Sequence, residues 1–168
     1  MPNHMLNIIE FRTEDLSHAS AIIESISNEN NELDFNRLIP SPGYLKVLEE
    51  KNNSCHVKQD SDWNYKHWKS HWNAFHSKFK LEERPDYVYG RVDFITLNII
   101  PYPIFIAISK KYREIRFKVK FADQYAFGCD CGFLVFQNGQ EIDCHVSPNE
   151  FESDEHFKYW EDIASNIY

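Results

Sequence analysis

The chain has 168 residues, 42% of them hydrophobic and 15% aromatic, with only five glycines, which fits one packed domain with a real core and excludes a disordered tail. No apolar run approaches the ~18 residues of a membrane-spanning helix. The net charge of −8 is uneven: residues 1–60 carry 5 Lys/Arg against 10 Asp/Glu, residues 61–122 carry 12 against 6, and residues 123–168 carry 1 against 10. A basic middle between acidic ends argues against nucleic-acid binding by the whole surface, and leaves room for a local basic patch or for an acidic face that meets a basic partner.

In chain order, Met5, Asn7, Ile9 and Phe11 alternate as in a strand. Thr13 is placed to cap the next helix, with Glu14 and Asp15 in its first turn and Leu16, Ala19, Ile23 and Ile26 at helical spacing. The polar run Ser27 to Glu32 ends it. Phe35-Asn36-Arg37-Leu38-Ile39-Pro40-Ser41-Pro42 reads as an extended connector, because a residue before proline is pushed out of the helical region. A short helix through Leu45 and Leu48 follows, and Lys51 to Asp60 reads as a surface loop.

Three of the four tryptophans fall between Trp63 and Trp72. On a helix, Tyr65, Trp68 and Trp72 share one face that a sheet or a partner must cover. A strand through Phe75, Ser77, Phe79 and Leu81, a turn over Glu82 to Asp86 and a β-rich stretch from Tyr87 to Asn98 predict an antiparallel pair. Pro101 and Pro103 open a helix over Ile104 to Lys111, with Lys110 and Lys111 at its C-terminal end, where the dipole favours them. Ile115, Phe117, Val119 and Phe121 alternate with Arg116, Lys118 and Lys120 as in a half-buried strand. Phe133 to Gln137, Asn138-Gly139 and Glu141 to His145 predict a hairpin with a two-residue turn. Ser153, Asp154 and Glu155 open a last helix that buries Phe157, Trp160, Ile163, Ala164 and Ile167. The order predicts an α+β fold: a largely antiparallel sheet with helices packed on one face, plus an acidic C-terminal helix.

Several stretches in order carry a resemblance: Phe35 to Pro40 with Pro42, Trp68-x-x-x-Trp72-Asn73-Ala74, Phe94-x-Thr96, Pro101-x-Pro103 before Ile108-Ser109-Lys110-Lys111-Tyr112, and Asn138-Gly139. The set resembles the YubB ferredoxin-like family of plasmid and phage proteins, most without an assigned activity, over residues 33–145. The resemblance implies a ferredoxin-like core over residues 33–145 and an origin on a mobile element; the length of the chain implies a single domain of residues 1–168, and the acidic C-terminal extension over residues 146–168 is peculiar to this chain. This chain departs from the family at His67-Trp68-Lys69-Ser70-His71-Trp72 and at Phe94-Ile95-Thr96-Leu97-Asn98, so the resemblance bears on fold more than on function.

Five groups of residues bear on function. His67 and His71, four apart, can place two imidazoles on one metal, with His76 joining if the chain turns back; the competing reading is solvated or core-edge histidines. Cys129 and Cys131 share a strand face, and the hairpin can bring Cys144 and His145 opposite; the competing reading is small buried hydrophobes, so no metal and no cofactor is assigned. Asp130 and Asp143 can face each other across the hairpin, with nothing to suggest burial. Arg116, Lys118 and Lys120, with Lys110, Lys111 and Arg113 nearby, can track a phosphate backbone. Their own strand places Phe117 and Phe121 on the opposite side, so the lysine face lacks aromatics, and the plain reading is a solvated face that keeps the sheet soluble.

The fifth group is the tail: Glu150, Glu152, Asp154, Glu155, Glu161 and Asp162, opposed only by Lys158. It reads either as the wet side of an amphipathic helix or as a decoy for a phosphate track. With no Gly-rich phosphate loop and no nucleophile signature, the expectation is a non-enzymatic protein. Its acidic residues and Trp63 would bind and inhibit a host protein that handles nucleic acid, such as a CRISPR-type defence complex; the alternatives are a nucleic-acid-binding module or a metal-dependent enzyme. Met1-Pro2-Asn3-His4 lacks the n-region of a signal peptide, which implies the host cytoplasm, where the four cysteines would be free thiols.

Overall fold

A computed structural model describes residues 3–50, 60–125 and 130–168. Strand β1 (His4–Thr13) leads into helix α1 (Leu16–Ile26), a 3-10 turn at Phe35–Arg37, and helices α2 (Pro42–Glu50) and α3 (Ser61–Trp68). Strands β2 (Phe75–Glu83) and β3 (Val88–Leu97) precede helix α4 (Tyr102–Lys111). Strands β4 (Phe117–Asp123), β5 (Cys131–Gln137) and β6 (Gln140–Val146) and helix α5 (Asp154–Ile167) complete the chain. The sheet runs β2-β3-β1-β4-β5-β6 with every neighbouring pair antiparallel. Its first four strands, with α1 and α4, make the ferredoxin-like β-α-β-β-α-β unit, and the β5–β6 hairpin widens the sheet beyond β4. β1 lies at the centre although it precedes the span 33–145, so the unit reaches back to residue 4. No helix among the described residues is long and apolar enough to cross a membrane.

Alternation decides which side each strand buries. Phe11, Ile9 and Met5 of β1, Val88, Val92 and Phe94 of β3 and Phe117, Val119 and Phe121 of β4 form one core with Ile22 and Ile26 of α1 and Ile104, Phe105 and Ile108 of α4. Gly90 lies across from Phe11, and a Cβ there would sit 2.2 Å from the Phe11 ring, so glycine makes room for the aromatic. The other side of the sheet is open except at one end. There Ala122 and Cys131, paired across β4 and β5, are covered by Trp160 and Ala164 of α5. Two helices therefore share one face, and the C-terminal helix takes part of the other.

Local chemistry corrects several sequence expectations. Asp15, not Thr13, caps α1, its carboxylate accepting from His18 N at 2.7 Å; Thr13 instead donates its hydroxyl to Asp15 O. The connector from Phe35 begins with a 3-10 turn, because Asp34 accepts from Asn36 N. α3 stops at Trp68, where Lys69 turns left-handed with φ 60°. Trp72 thus lies outside the helix and is 54% exposed, and Tyr65 is 43% exposed; only Trp68 of the expected face is buried, donating from Nε1 to Ile39 O at 2.9 Å. The turn after Glu82 starts later, since β2 runs to Glu83. The Asn138-Gly139 turn forms as expected, with positive φ at both residues. Residues 51–59 of the expected surface loop lie outside the described residues; Asp60 caps α3.

Candidate functional site

The open sheet face is assembled from outward-pointing positions of neighbouring strands. Glu10 of β1 pairs in register with Arg91 of β3 on one side and Lys118 of β4 on the other, and Arg12 pairs with Tyr89. Lys120 pairs with Phe133 of β5, which in turn pairs with His145 of β6. The face therefore carries aromatics beside its lysines. The sequence argument that the lysine side lacks them fails because Tyr89 and Phe133 come from other strands; within β4 alone the aromatics do all point inward.

Glu10 organises this face. Its carboxylate accepts from Tyr89 Oη at 2.7 Å and from Lys120 Nζ at 2.9 Å. Burial pushes the Glu10 carboxyl up, but these two hydrogen bonds and the charges of Lys120 and Lys118 outweigh it and hold the group below its ordinary value. The Tyr89 phenol is pushed up to about 12 by burial and by Glu10, so it remains a donor. Arg91 is similarly spent on Asp93, its Nε donating at 2.6 Å. Arg12, Arg116 and Lys118 are exposed and, among the described residues, have no ion-pair partner. These three, with Tyr89 and the carboxylates Glu10 and Glu114, line one cavity of about 490 Å³. Arg12 lies 4.4 Å from the centre of the Tyr87 ring, and Lys118 Nζ lies 4.8 Å from that of Phe133.

Of the predicted basic trio, Arg116 and Lys118 are available and Lys120 is neutralised by Glu10. Arg12, Tyr89 and Phe133 join this face without any sequence motif to mark them. Only the strand register connects them, and the alternation of Tyr89 with Val88 and Gly90 was their one signal in the sequence. Lys110, Lys111 and Arg113 sit at and beyond the C-terminal end of α4, on the helical side, with Lys111 Nζ donating to Ser25 O at 3.4 Å.

The acidic residues of the tail are spread along α5 and the segment before it. Glu150, Glu152, Asp154, Glu155 and Asp162 are exposed and Glu161 is half-buried. Ser153 caps the helix and Asp154 and Glu155 occupy its first turn, as expected. Trp63 is not a free anchor: it is half-buried, stacked on His67 at 4.0 Å and edge-on to Trp68 at 5.7 Å.

The candidate metal ligands are not brought together. His67 lies within α3, whereas His71 lies beyond its end, stacked on Tyr65 at 4.6 Å, and His76 is on β2 against Phe75. Cys129 lies outside the described residues. Cys131 and Cys144 are on opposite sides of the sheet, since Cys144 pairs with the core residue Leu134, while His145 stacks on Trp160 at 4.6 Å. Local desolvation and Glu141 hold the Cys144 thiol above its ordinary value, which disfavours a thiolate. Asp143 pairs with Val135, not with Asp130, whose carbonyl accepts from Asp123 N at 2.9 Å. No group of three or more His, Cys, Asp or Glu among the described residues is arranged to hold a metal.

Comparison with curated proteins gives no match. A crystal structure of a protein api92 from Yersinia pseudotuberculosis is similar in part, at 13% identity and a TM-score of 0.48, with 68% of this chain and 39% of that chain covered. This chain thus spans well under half the length of that protein. The family model described as the ferredoxin-like domain in Api92-like protein matches residues 68–164, from the end of α3 into α5. The ferredoxin-like character implied by the ordered motifs holds, under the Api92 description, and the chain belongs to the family of ferredoxin-like domains of Api92-like proteins.

Proposed function

We propose that this protein is a non-enzymatic binding module whose open sheet face takes single-stranded nucleic acid. The observation that carries the reading is the cavity shared by Arg12, Arg116, Lys118 and Tyr89. The cations meet phosphates, and Tyr89, with Phe133 three strands away, offers rings to bases. α5 closes one end of the face, so the strand would run across the uncovered end. Single-stranded oligonucleotides of mixed sequence, titrated by fluorescence anisotropy, test this. Three phosphate contacts give a slope of about −2 in log affinity against log salt, at ~0.7 per contact. Lys118→Glu and Tyr89→Ala should each weaken binding, the second by the ~1–3 kcal/mol of one stacked base. Absence of any anisotropy change at low salt would remove the reading.

A second reading rests on the acids of α5 and of the segment before it. In it, Glu150, Glu152, Asp154, Glu155, Glu161 and Asp162 imitate a phosphate track and occupy the basic groove of a host protein that handles nucleic acid, such as a CRISPR-type defence complex. The motifs resembling the YubB family support the mobile-element origin that this inhibitor role presupposes, and with it the host cytoplasm as the place of action. Association would be electrostatically steered and would fade with salt. A silent Asp154→Lys/Glu155→Lys double substitution in capture of such a complex argues against it.

A further inference from the structure

The segments that carry the sequence motifs converge on a site that the open sheet face does not use. Behind α3, a polar cavity of about 150 Å³ lies between the 3-10 turn, the start of α2, and α3. That is room for about five waters, or for one charged head group on a short arm. Asn36, Trp68 and Asn73, all from the ordered motifs, line it together with Asp34.

Asp34 is only 7% exposed. Its Oδ1 is saturated, accepting from Asn36 N and Nδ2 at 3.0 Å each and from Asn73 Nδ2 at 2.6 Å. Asn73 is itself fixed, its Oδ1 accepting from Phe35 N at 2.8 Å and Ala74 N at 2.9 Å. The second oxygen of Asp34 has no hydrogen-bond partner among the described residues, and Asp34 forms no ion pair with any of them. No lining residue is Lys, Arg or His. Asn64, which also lines the cavity, is 1% exposed; its Nδ2 donates to His71 O at 3.0 Å, and its Oδ1 is buried without a partner. Ser41, 3% exposed, adds a hydroxyl whose oxygen already accepts from Tyr44 N at 3.3 Å and has a second lone pair. The walls include the aromatic side chains of Trp68 and Tyr44.

The buried Asn64 amide oxygen without a donor carries a desolvation cost, and the Asp34 carboxylate has one unpartnered oxygen and no cation beside it; a donor-bearing cation would satisfy both. Aromatic walls suit an organic cation, through its attraction to ring faces. A divalent metal would want several carboxylates and a closer oxygen cage, whereas one carboxylate is present. We infer that this cavity is a binding site for a protonated amino group, carried either by a small free amine or by the lysine side chain of a peptide. Asp34 supplies the charge, Asn64 and Ser41 supply further acceptors, and Trp68 and Tyr44 supply the walls.

Calorimetric titration of the full chain with n-butylamine at neutral pH, against neutral 1-butanol, tests the assignment. The amine should bind saturably and the alcohol should not. Asp34→Asn should weaken the amine by about tenfold or more, as expected for loss of one charge-assisted contact. If that variant does not fold by circular dichroism, Tyr44→Ala, at a half-buried wall position, should still lower affinity severalfold. A blocked Gly-Lys-Gly peptide distinguishes the two sources: tighter binding than butylamine places a protein side chain in the cavity, and no binding of the peptide leaves the free amine. Equal binding of amine and alcohol, no binding of either, or displacement of bound amine by calcium would overturn the assignment.

Discussion

Glu10 shows how one carboxylate can hold three strands in register on an exposed face. It reaches Tyr89 on β3 and Lys120 on β4 from its own position on β1. Its folded-state value is depressed, so the unfolded chain takes up the proton first as pH falls. The stabilisation is therefore complete above the ordinary value of 4.5 and is lost as pH drops through the folded one. Glu10→Gln should cost ~1–3 kcal/mol in urea unfolding near neutral pH, by leaving a charged and a neutral donor poorly met. The deficit should shrink on acidification below 4.5; a deficit unchanged across that range would show that the charge of Glu10 has no part in it. None of this is visible in the sequence, where Glu10, Tyr89 and Lys120 are far apart and only alternation hints that they point the same way. The cap of α1 was misplaced for a similarly local reason. Thr13 and Asp15 are both good caps, and the choice between them turns on where β1 ends.

The elements were legible where their chemistry is self-contained. The alternation of Phe117, Val119 and Phe121 with lysines gives β4, Asn138-Gly139 gives the turn between β5 and β6, and Ser153 gives the start of α5. The end of α3 was not legible. Lys69, rather than a glycine, adopts the left-handed conformation, so no residue type marks the stop and the tryptophan spacing continues past it. Nor did α5 announce which side of the sheet it covers, because its apolar stripe would suit either. Its anchor is Trp160, 4% exposed, against Cys131 and Ala122 and stacked on His145. Trp160→Ala should lower stability by ~3–5 kcal/mol, as for other large buried aromatics. Thermal unfolding within experimental error of the parent would mean that α5 is not docked in solution.

At the scale of the molecule, charge is sorted by place: unpaired cations cluster at the uncovered end of the sheet face, and acids cover α5, which caps the other end. The net charge of −8 conceals this separation, and the segment tallies reveal it only in part, because Arg12 comes from the acidic N-terminal third. The polar cavity was still harder to foresee, since its acceptors come from segments that read as connector and helix. The sheet has two borders of contrasting character. β2 carries exposed Lys78 and Lys80, the latter paired with Glu82 and followed by Glu83, and β6 carries exposed Glu141 and Asp143. The Lys78 stretch of β2 can lie along the acidic border of the next copy, a head-to-tail contact that closes into a ring only at special angles. The irregular pairing at Phe75 to Lys78, with His76 at φ 54°, interrupts the lysine border and opposes such stacking. Light scattered by concentrated solutions should therefore stay level as salt is withdrawn; a rise at low salt that Lys78→Glu abolishes would mean that the interruption does not keep the copies apart.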